Sequence, residues 1–382
     1  MSSFSFRFSG DDIDTASGGT QAASTTTPAD QASAFPIPGQ AQHIAPQHHD
    51  LTSMLASLPS KIAYSTLEVC LDDGQTLHLP RRELWDVRVQ IMAEAARDED
   101  EAEGVEKGED FVLGTRDVKT GVYEGGFKSW ESSGDLVKVL AGGCHPRSWG
   151  SRSARIIELG CGTALPSLAL FQWAMAMASE HQSQRGAQSQ RVISFILADY
   201  NPTVLQLVTL PNLILTWALH QQQHAPIPAL QEAFSLQEPG EGELELTPEV
   251  LDSFRMYLSE HAIYLSFLSG GWSPEFVHLL YSLPSHSPPQ AETAACICLL
   301  LGAETIYSPF ALQAFVDMVV AVLEREAGDT SAWVAAKKLY FGVGGSLDDF
   351  VTQVMSRDVL VESVREETEG VRRGVVRCCR PA

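Results

Sequence analysis

Basic residues are scarce in this chain of 382 residues: Lys and Arg total 26 against 48 Asp and Glu, a formal net charge of -22. A general nucleic-acid binder carries a basic footprint, so direct nucleic-acid binding is not expected, and a basic protein partner suits the charge better. Long apolar runs are also lacking. The purest, Ala294 to Leu301, is far shorter than the ~20 residues a bilayer helix needs, so no membrane span is expected. Cysteines number seven, an odd count without a signal peptide, which predicts reduced thiols and a cytoplasmic and nuclear setting. Cys296 and Cys298 alternate on one strand face and read as core packing. No cluster has metal-ligand spacing, and no metal is expected. A hydrophobic share of 44% suffices for one large domain with attachments, expected as a monomer.

The most informative stretch present is RIIELGCGTALPSLAL, residues 155 to 170. Arg155 to Leu159 read as a buried strand, Gly160 and Gly162 allow close approach of a ligand to the backbone, and Leu165, Leu168 and Ala169 begin an apolar helical face. A dinucleotide fingerprint would place a third glycine three residues after Gly162; Leu165 stands there, so a pyrophosphate clamp is not expected.

Composition divides the chain into a tail over residues 1 to 55, an extension from 56 to 110 and a main domain from 111 to 382. The tail is rich in Ser, Thr, Gln, Ala, Gly and Pro and is expected to be disordered, although FSFRF near its start also suits a short docking strand. The extension predicts extended structure from Ile62 with a turn at Asp73-Gly74, a helix beginning near Glu83, and then the acidic run 98 to 110, read as a solvated loop. In the main domain, strands are expected at 155 to 160, 192 to 199, 262 to 268, 295 to 302 and 335 to 341, with helices at 164 to 179, 203 to 219, 273 to 282 and 309 to 327. This alternation is the α/β pattern of a mostly parallel sheet covered on both faces, closed by a C-terminal antiparallel hairpin around Thr368 to Gly370. Segments 179 to 190, 221 to 242 and 285 to 292 read as surface insertions.

Chemistry in an open parallel sheet collects beyond the carboxyl ends of its strands. Asp199, ending the second strand, is placed either to accept from vicinal ribose hydroxyls or to form the turn before Pro202. Glu158, inside the first strand, needs hydrogen-bond donors from the glycine turn or from a ligand. After the third strand, Gly270 and Gly271 lead to Trp272, an indole for an adenine or a cover for the sheet edge. Glu304, after the fourth, is placed beside an accepting nitrogen or as a helix cap. Upstream, Gly125 and Gly126 free the chain to wrap over a ligand, with Trp130 and Glu131 placed to meet its cationic end.

ELGCG resembles the first motif of class I S-adenosylmethionine (SAM) methyltransferases. With YEGGFKSWE, DYNPTVLQLVTLPNL, SGGWSPEF, ETIYSP and KKLYFGVGGS, scattered over residues 122 to 350, the chain resembles the histidine protein methyltransferase family, seven-stranded enzymes that methylate a histidine of the large-subunit ribosomal protein uL3. The resemblance implies a Rossmann-like class I fold and SAM held by Ser129, Trp130, Glu131, Ser132 and Ser133, by Gly160, by Ala198, Asp199 and Tyr200, by Gly270, Gly271 and Trp272, and by Ala303; Gly162 and Glu158 are added from the reading of the turn. It also implies transfer to the tele nitrogen. Ser129 and Ala303 depart from the family's usual residues. Glu304 or Asn201 is expected to orient the acceptor imidazole, with Tyr307 and the Gly342 to Gly345 loop shaping its slot. A lysine methyltransferase and a non-catalytic SAM-binding escort keep the same cofactor residues and remain open alternatives.

Overall fold

The computed structural model describes residues 44–101, 125–182, 191–238, 240–284, 296–307, 309–326, 328–340 and 345–381. The FSFRF start, the acidic run beyond residue 101, the 285 to 292 segment and Gly342 to Gly344 lie outside these residues.

In chain order the strands are β1 (Gln47–His49), β2 (Lys61–Cys70), β3 (Thr76–Arg82), β4 (Ala154–Leu159), β5 (Ile193–Asp199), β6 (Phe234–Glu238), β7 (Glu241–Glu245), β8 (Ile263–Ser269), β9 (Ile297–Ala303), β10 (Asp329–Lys337), β11 (Leu360–Glu367) and β12 (Arg373–Cys379). The large sheet runs β1-β8-β5-β4-β9-β10-β12-β11. Strands β8, β5, β4, β9 and β10 are mutually parallel, and the β11–β12 hairpin adds the antiparallel end that the sequence predicts. The chain winds outward from β4 through β5 to β8 and then returns to β9. The sheet's topological switch point therefore lies between β4 and β9, where such folds open a crevice for a ligand.

Strands covered on both faces read as unbroken apolar runs, and their residues alternate between two cores. Ile156, Phe195, Leu197, Leu299 and Leu301 pack with Leu136, Phe171 and Trp217 from helices Glu131–Gly143, Leu165–Gln182 and Pro202–His224. Ile157, Leu159, Ile196 and Leu300 face the other way, against Phe276, Phe315 and Phe350 from helices Pro274–Ser282, Pro309–Arg325 and Leu347–Met355. Each fully buried side chain of this size contributes about 1.5–3 kcal/mol. Helix Pro202–His224 is long and apolar enough to cross a membrane, but most of that stretch is buried within the protein.

Three expectations change. The large sheet has eight strands, because β1, in a segment whose composition reads as tail, pairs antiparallel with β8. The 221 to 242 segment is not a plain insertion. Its second half forms β6 and begins β7, which join β2 and β3 in a four-stranded sheet β3-β2-β7-β6. This sheet buries Ile62, Tyr64, Leu79 and Leu244 in the same core as Trp217, and Asn212 Oδ1 accepts from the Arg82 amide at 2.7 Å. The described residues from 44 onward accordingly belong to one compact unit. Finally, β10 begins at Asp329, six residues before the expected start, and ends at Lys337.

Candidate active site

The β4 strand ends in a turn that only glycine accommodates. Gly160 has φ +65° and Gly162 φ +51°; a Cβ on Gly160 would lie 2.7 Å from Thr305 Cγ2, and one on Gly162 would lie 3.1 Å from the Gly126 carbonyl oxygen. The turn is pinned from beneath. The Thr209 hydroxyl donates to the Gly162 carbonyl at 2.7 Å, Asn212 Nδ2 to the Thr163 carbonyl at 3.0 Å, and the Cys161 amide to the Ala198 carbonyl at 2.9 Å. Thr209 closes a π-helical segment, Leu205–Thr209, within helix Pro202–His224. Such single π turns cluster at functional sites.

Asp199 leaves β5 beside this turn and accepts the Gly162 amide at 3.0 Å through Oδ2 and the Asn201 amide at 3.1 Å through Oδ1. It thus makes the turn that its alternative reading requires while still lining the cavity, where a carboxylate is an acceptor for a ligand hydroxyl. On the far side of the switch point, Glu304 follows β9 in a left-handed conformation, φ +57°, uncommon for a residue with a side chain. Its Oε1 accepts the Ser132 hydroxyl and its Oε2 the Tyr340 hydroxyl at 2.6 Å.

Between these elements lies a cavity of about 300 Å³ at the carboxyl ends of β4, β5, β9 and β10. Of the residues expected from the sequence, Trp130, Ser133, Gly160, Gly162, Asp199, Tyr200, Trp272, Ala303, Glu304 and Tyr307 line it. Trp272 is 7% exposed, sits 3.7 Å from the position of a Gly160 Cβ, and packs on Phe315, so it borders the cavity and covers the core at once.

Eight expected residues do not line it, each for a visible reason. Asn201 caps helix Pro202–His224, its Oδ1 accepting the Thr203 amide at 2.9 Å, and so is removed as an imidazole-orienting group. Glu158 lies below the turn, where Oε2 accepts both the amide and the hydroxyl of Ser167. Ser132 is fully buried behind Glu304, and Glu131 faces Arg373 at 3.6 Å. The Ser129 hydroxyl pairs with that of Thr163 at 2.9 Å. Ala198 contributes only its backbone. Gly270 and Gly271 are covered by the incoming chain: the Gly271 amide donates to the Ile44 carbonyl, and a Cβ on Gly270 would strike Ala45 and Pro46 at 2.8 Å.

Sequence reading assigns no role to Lys128, Cys161, Thr163, Thr305, Lys337 and Tyr340, which also line the cavity. Cys161 and Thr163 sit inside the recognised turn, and Thr305 follows Glu304. Lys337 and Tyr340 leave the end of β10, where an accurate strand boundary would have placed them at the rim.

Burial sets the electrostatics. It pushes the Glu158 carboxyl up to about 8, reinforced by Asp199 and opposed by the two Ser167 hydrogen bonds. It drives the Cys161 thiol and the Tyr340 phenol upward as well, so both stay protonated near neutrality. The cavity offers a strained glycine cradle, a carboxylate at the ribose position and a flanking indole within a volume suited to a small molecule, features that fit SAM.

The sequence is similar to those of known proteins. The chain is 32% identical over 346 residues to histidine protein methyltransferase 1 of Saccharomyces cerevisiae, covering 88% of this chain and 85% of the relative. It is 30% identical over 337 residues to the Schizosaccharomyces pombe protein of the same name, covering 87% and 85%. A Bos taurus homolog is 27% identical over 261 residues, covering 68% and 56%. No protein-family model matches the chain. Among solved structures, ribosomal protein L11 methylase from Lactobacillus delbrueckii overlaps 67% of this chain and 81% of its own at 8% identity and a TM-score of 0.32, too loose to carry an inference. The coverage of the two yeast proteins, at 32% and 30% identity, is decisive: this chain belongs to the histidine protein methyltransferase family and is a SAM-dependent protein methyltransferase of the class I fold.

Proposed function

We propose that the chain methylates the tele nitrogen of a histidine in the large-subunit ribosomal protein uL3, with Glu304 orienting the acceptor ring. The observation that supports this reading is the Glu304 carboxylate, fixed by Ser132 and Tyr340 on the wall of the cavity that holds the glycine turn. When bound, SAM supplies an electrophilic methyl group on a sulfonium.

The protein's own task is alignment. A neutral imidazole carries an available lone pair near pH 7, since its ordinary pKa is about 6.5, and no strong base is needed to create the nucleophile. The ring must instead present one nitrogen and not the other. A carboxylate that accepts the N–H at the pros nitrogen fixes the tautomer, leaves the lone pair on the tele nitrogen, and stabilises positive charge as it develops on the ring. Glu304 retains lone pairs for this after accepting two hydroxyls, and those hydroxyls hold it to one geometry. Tyr307 lines the same cavity, which supports a role for it in shaping the acceptor slot. The net charge of -22 favours encounter with a basic substrate protein.

The test is transfer of labelled methyl from SAM to purified uL3, free and within ribosomes, followed by acid hydrolysis and amino-acid analysis. Label in tele-methylhistidine is the expected result. Label in methyllysine would reassign the acceptor, and SAM binding without transfer to uL3 would reassign the substrate.

A further inference from the structure

We infer that Lys337 is a specificity-determining residue, which admits the acceptor histidine only as neutral imidazole and turns away cationic acceptors. The inference rests on the histidine reading above and deepens it.

Lys337 is the last residue of β10 and lines the cavity. Its Nζ lies 5.1 Å from the ring centroid of Trp130 and 5.7 Å from that of Tyr340, within the range at which aromatic faces attract a cation. Among the described residues no carboxylate stands within ion-pair distance of it. Tyr340, one of the two rings, is the residue whose hydroxyl fixes Glu304. The ammonium is therefore tethered on the same wall as the group proposed to orient the imidazole.

A fixed cation there raises the free energy of a second cation at the acceptor position, on the wall that Lys337 shares with Glu304. Imidazolium and lysine ammonium have no lone pair for a methyl group, so their exclusion removes only unproductive complexes. The same repulsion opposes the pull of the Glu304 carboxylate toward imidazolium, so the pKa of a bound imidazole is lower than it would be in the same site without Lys337. The other charged groups on the wall are Lys128, Asp199 and Glu304. Asp199 is held by two backbone amides and Glu304 by two hydroxyls, while Lys128 adds to the positive side. Tyr340 and Cys161 face the cavity with ionisation pushed upward by burial, and the phenols of Tyr200 and Tyr307 complete the titratable set.

The experiment compares wild type with Lys337→Met and Lys337→Gln, which remove the charge, and Lys337→Arg, which keeps it. For each, kcat and kcat/KM for uL3 methylation are followed from pH 5 to 9, and SAM affinity is measured by calorimetry. The acid limb of kcat reports the enzyme–substrate complex and that of kcat/KM the free species. In the neutral variants the kcat limb should rise by about one pH unit above its position in wild type and Lys337→Arg, with SAM affinity within about threefold of wild type. Two folded neutral candidates keep the result from depending on one variant. An unmoved kcat limb would overturn the inference. So would an unmoved limb with a tenfold or greater loss of SAM affinity that Lys337→Arg restores, which would assign Lys337 to the cofactor carboxylate. A wild-type protein that forms no methylhistidine overturns the parent reading, whereas normal methylhistidine formation with an unmoved limb overturns this inference alone.

Discussion

The Tyr340 hydroxyl donates to Glu304 Oε2 at 2.6 Å across the rim of the cavity, joining the residue after β9 to the third residue beyond β10. Hydrogen bonds to a charged acceptor contribute about 1.5–3 kcal/mol, and this one holds a carboxylate whose direction matters. Tyr340→Phe should therefore lower kcat by roughly tenfold or more while leaving SAM affinity within about threefold. Glu304→Ala should cost more, and the double variant should fall no further than Glu304→Ala alone, because Tyr340 acts through Glu304. Steady-state kinetics on the three variants decide this; turnover within about threefold of wild type for Glu304→Ala, under ~1 kcal/mol in barrier, would end the orienting role.

Gly160 answers a separate question, whether the cradle is built for a ligand. Alanine there meets a left-handed φ of +65° and places its Cβ 2.7 Å from Thr305 Cγ2. The conformational cost is about 1–2 kcal/mol, and the turn must move into the space available to the cofactor. Gly160→Ala should weaken SAM binding by about tenfold or more, measured by calorimetry at a temperature where circular dichroism shows the variant folded. Unchanged SAM affinity would place the cofactor elsewhere.

The sequence reading was strongest where local pattern and tertiary role coincide. The apolar runs of β4, β5, β8 and β9 lie within two residues of their expected bounds because each must satisfy two cores at once. The glycine turn was legible because few residues tolerate its backbone. The reading failed where long-range contacts decide. A three-residue strand such as β1 has no pattern of its own and exists through its pairing with Ser269, Leu268 and Phe267. Strand β6 and the start of β7 lie in a stretch whose polar composition resembles an insertion, yet Leu230 and Ala233 within it are buried. Polar Asp329, Thr330 and Ser331 start β10 only because Ile297, Cys298 and Leu299 pair with them. Misplacing that strand hid Lys337 and Tyr340. Sequence shows that Glu158 needs hydrogen-bond partners but not that Ser167 supplies them, and it does not reveal that Asn201, expected at the acceptor ring, and Ser132, expected at the cofactor, bond instead to the Thr203 amide and Glu304.

Glu158 makes stability depend on pH in an unusual direction for a carboxylate. Its folded-state pKa is raised to about 8 by burial, above the unfolded value near 4.5, so the unfolded chain releases this proton first as pH rises. The stabilising contribution is fully present below about pH 4.5 and is lost progressively up to about pH 8. Glu158→Gln cannot ionise and should lack this component. Urea unfolding at pH 5, 6.5 and 8 should show wild type declining relative to the variant by on the order of 1 kcal/mol per pH unit. Parallel stability curves would show that Glu158 titrates normally.

His220 supplies the opposite sign. Its ring is 5% exposed, neither nitrogen has a hydrogen-bond partner among the described residues, and His224 lies 4.6 Å away between ring centroids. Burial first, then repulsion from His224 and His261, lowers its pKa to about 4, so between pH 6.5 and 4 the unfolded chain binds the proton and the folded chain does not. The contribution is present above pH 6.5 and disappears as pH falls through the folded value. His220→Leu keeps the site apolar, removes two unpaired polar atoms and cannot protonate. The variant should match or exceed wild type at pH 7.5 and pull further ahead at pH 5, by up to about 1.4 kcal/mol per pH unit below the unfolded pKa. A gap that stays constant between the two pH values would mean that the imidazole takes its proton in the folded protein, which requires the cluster of His220, His224 and His261 to open to water before the rest of the molecule unfolds.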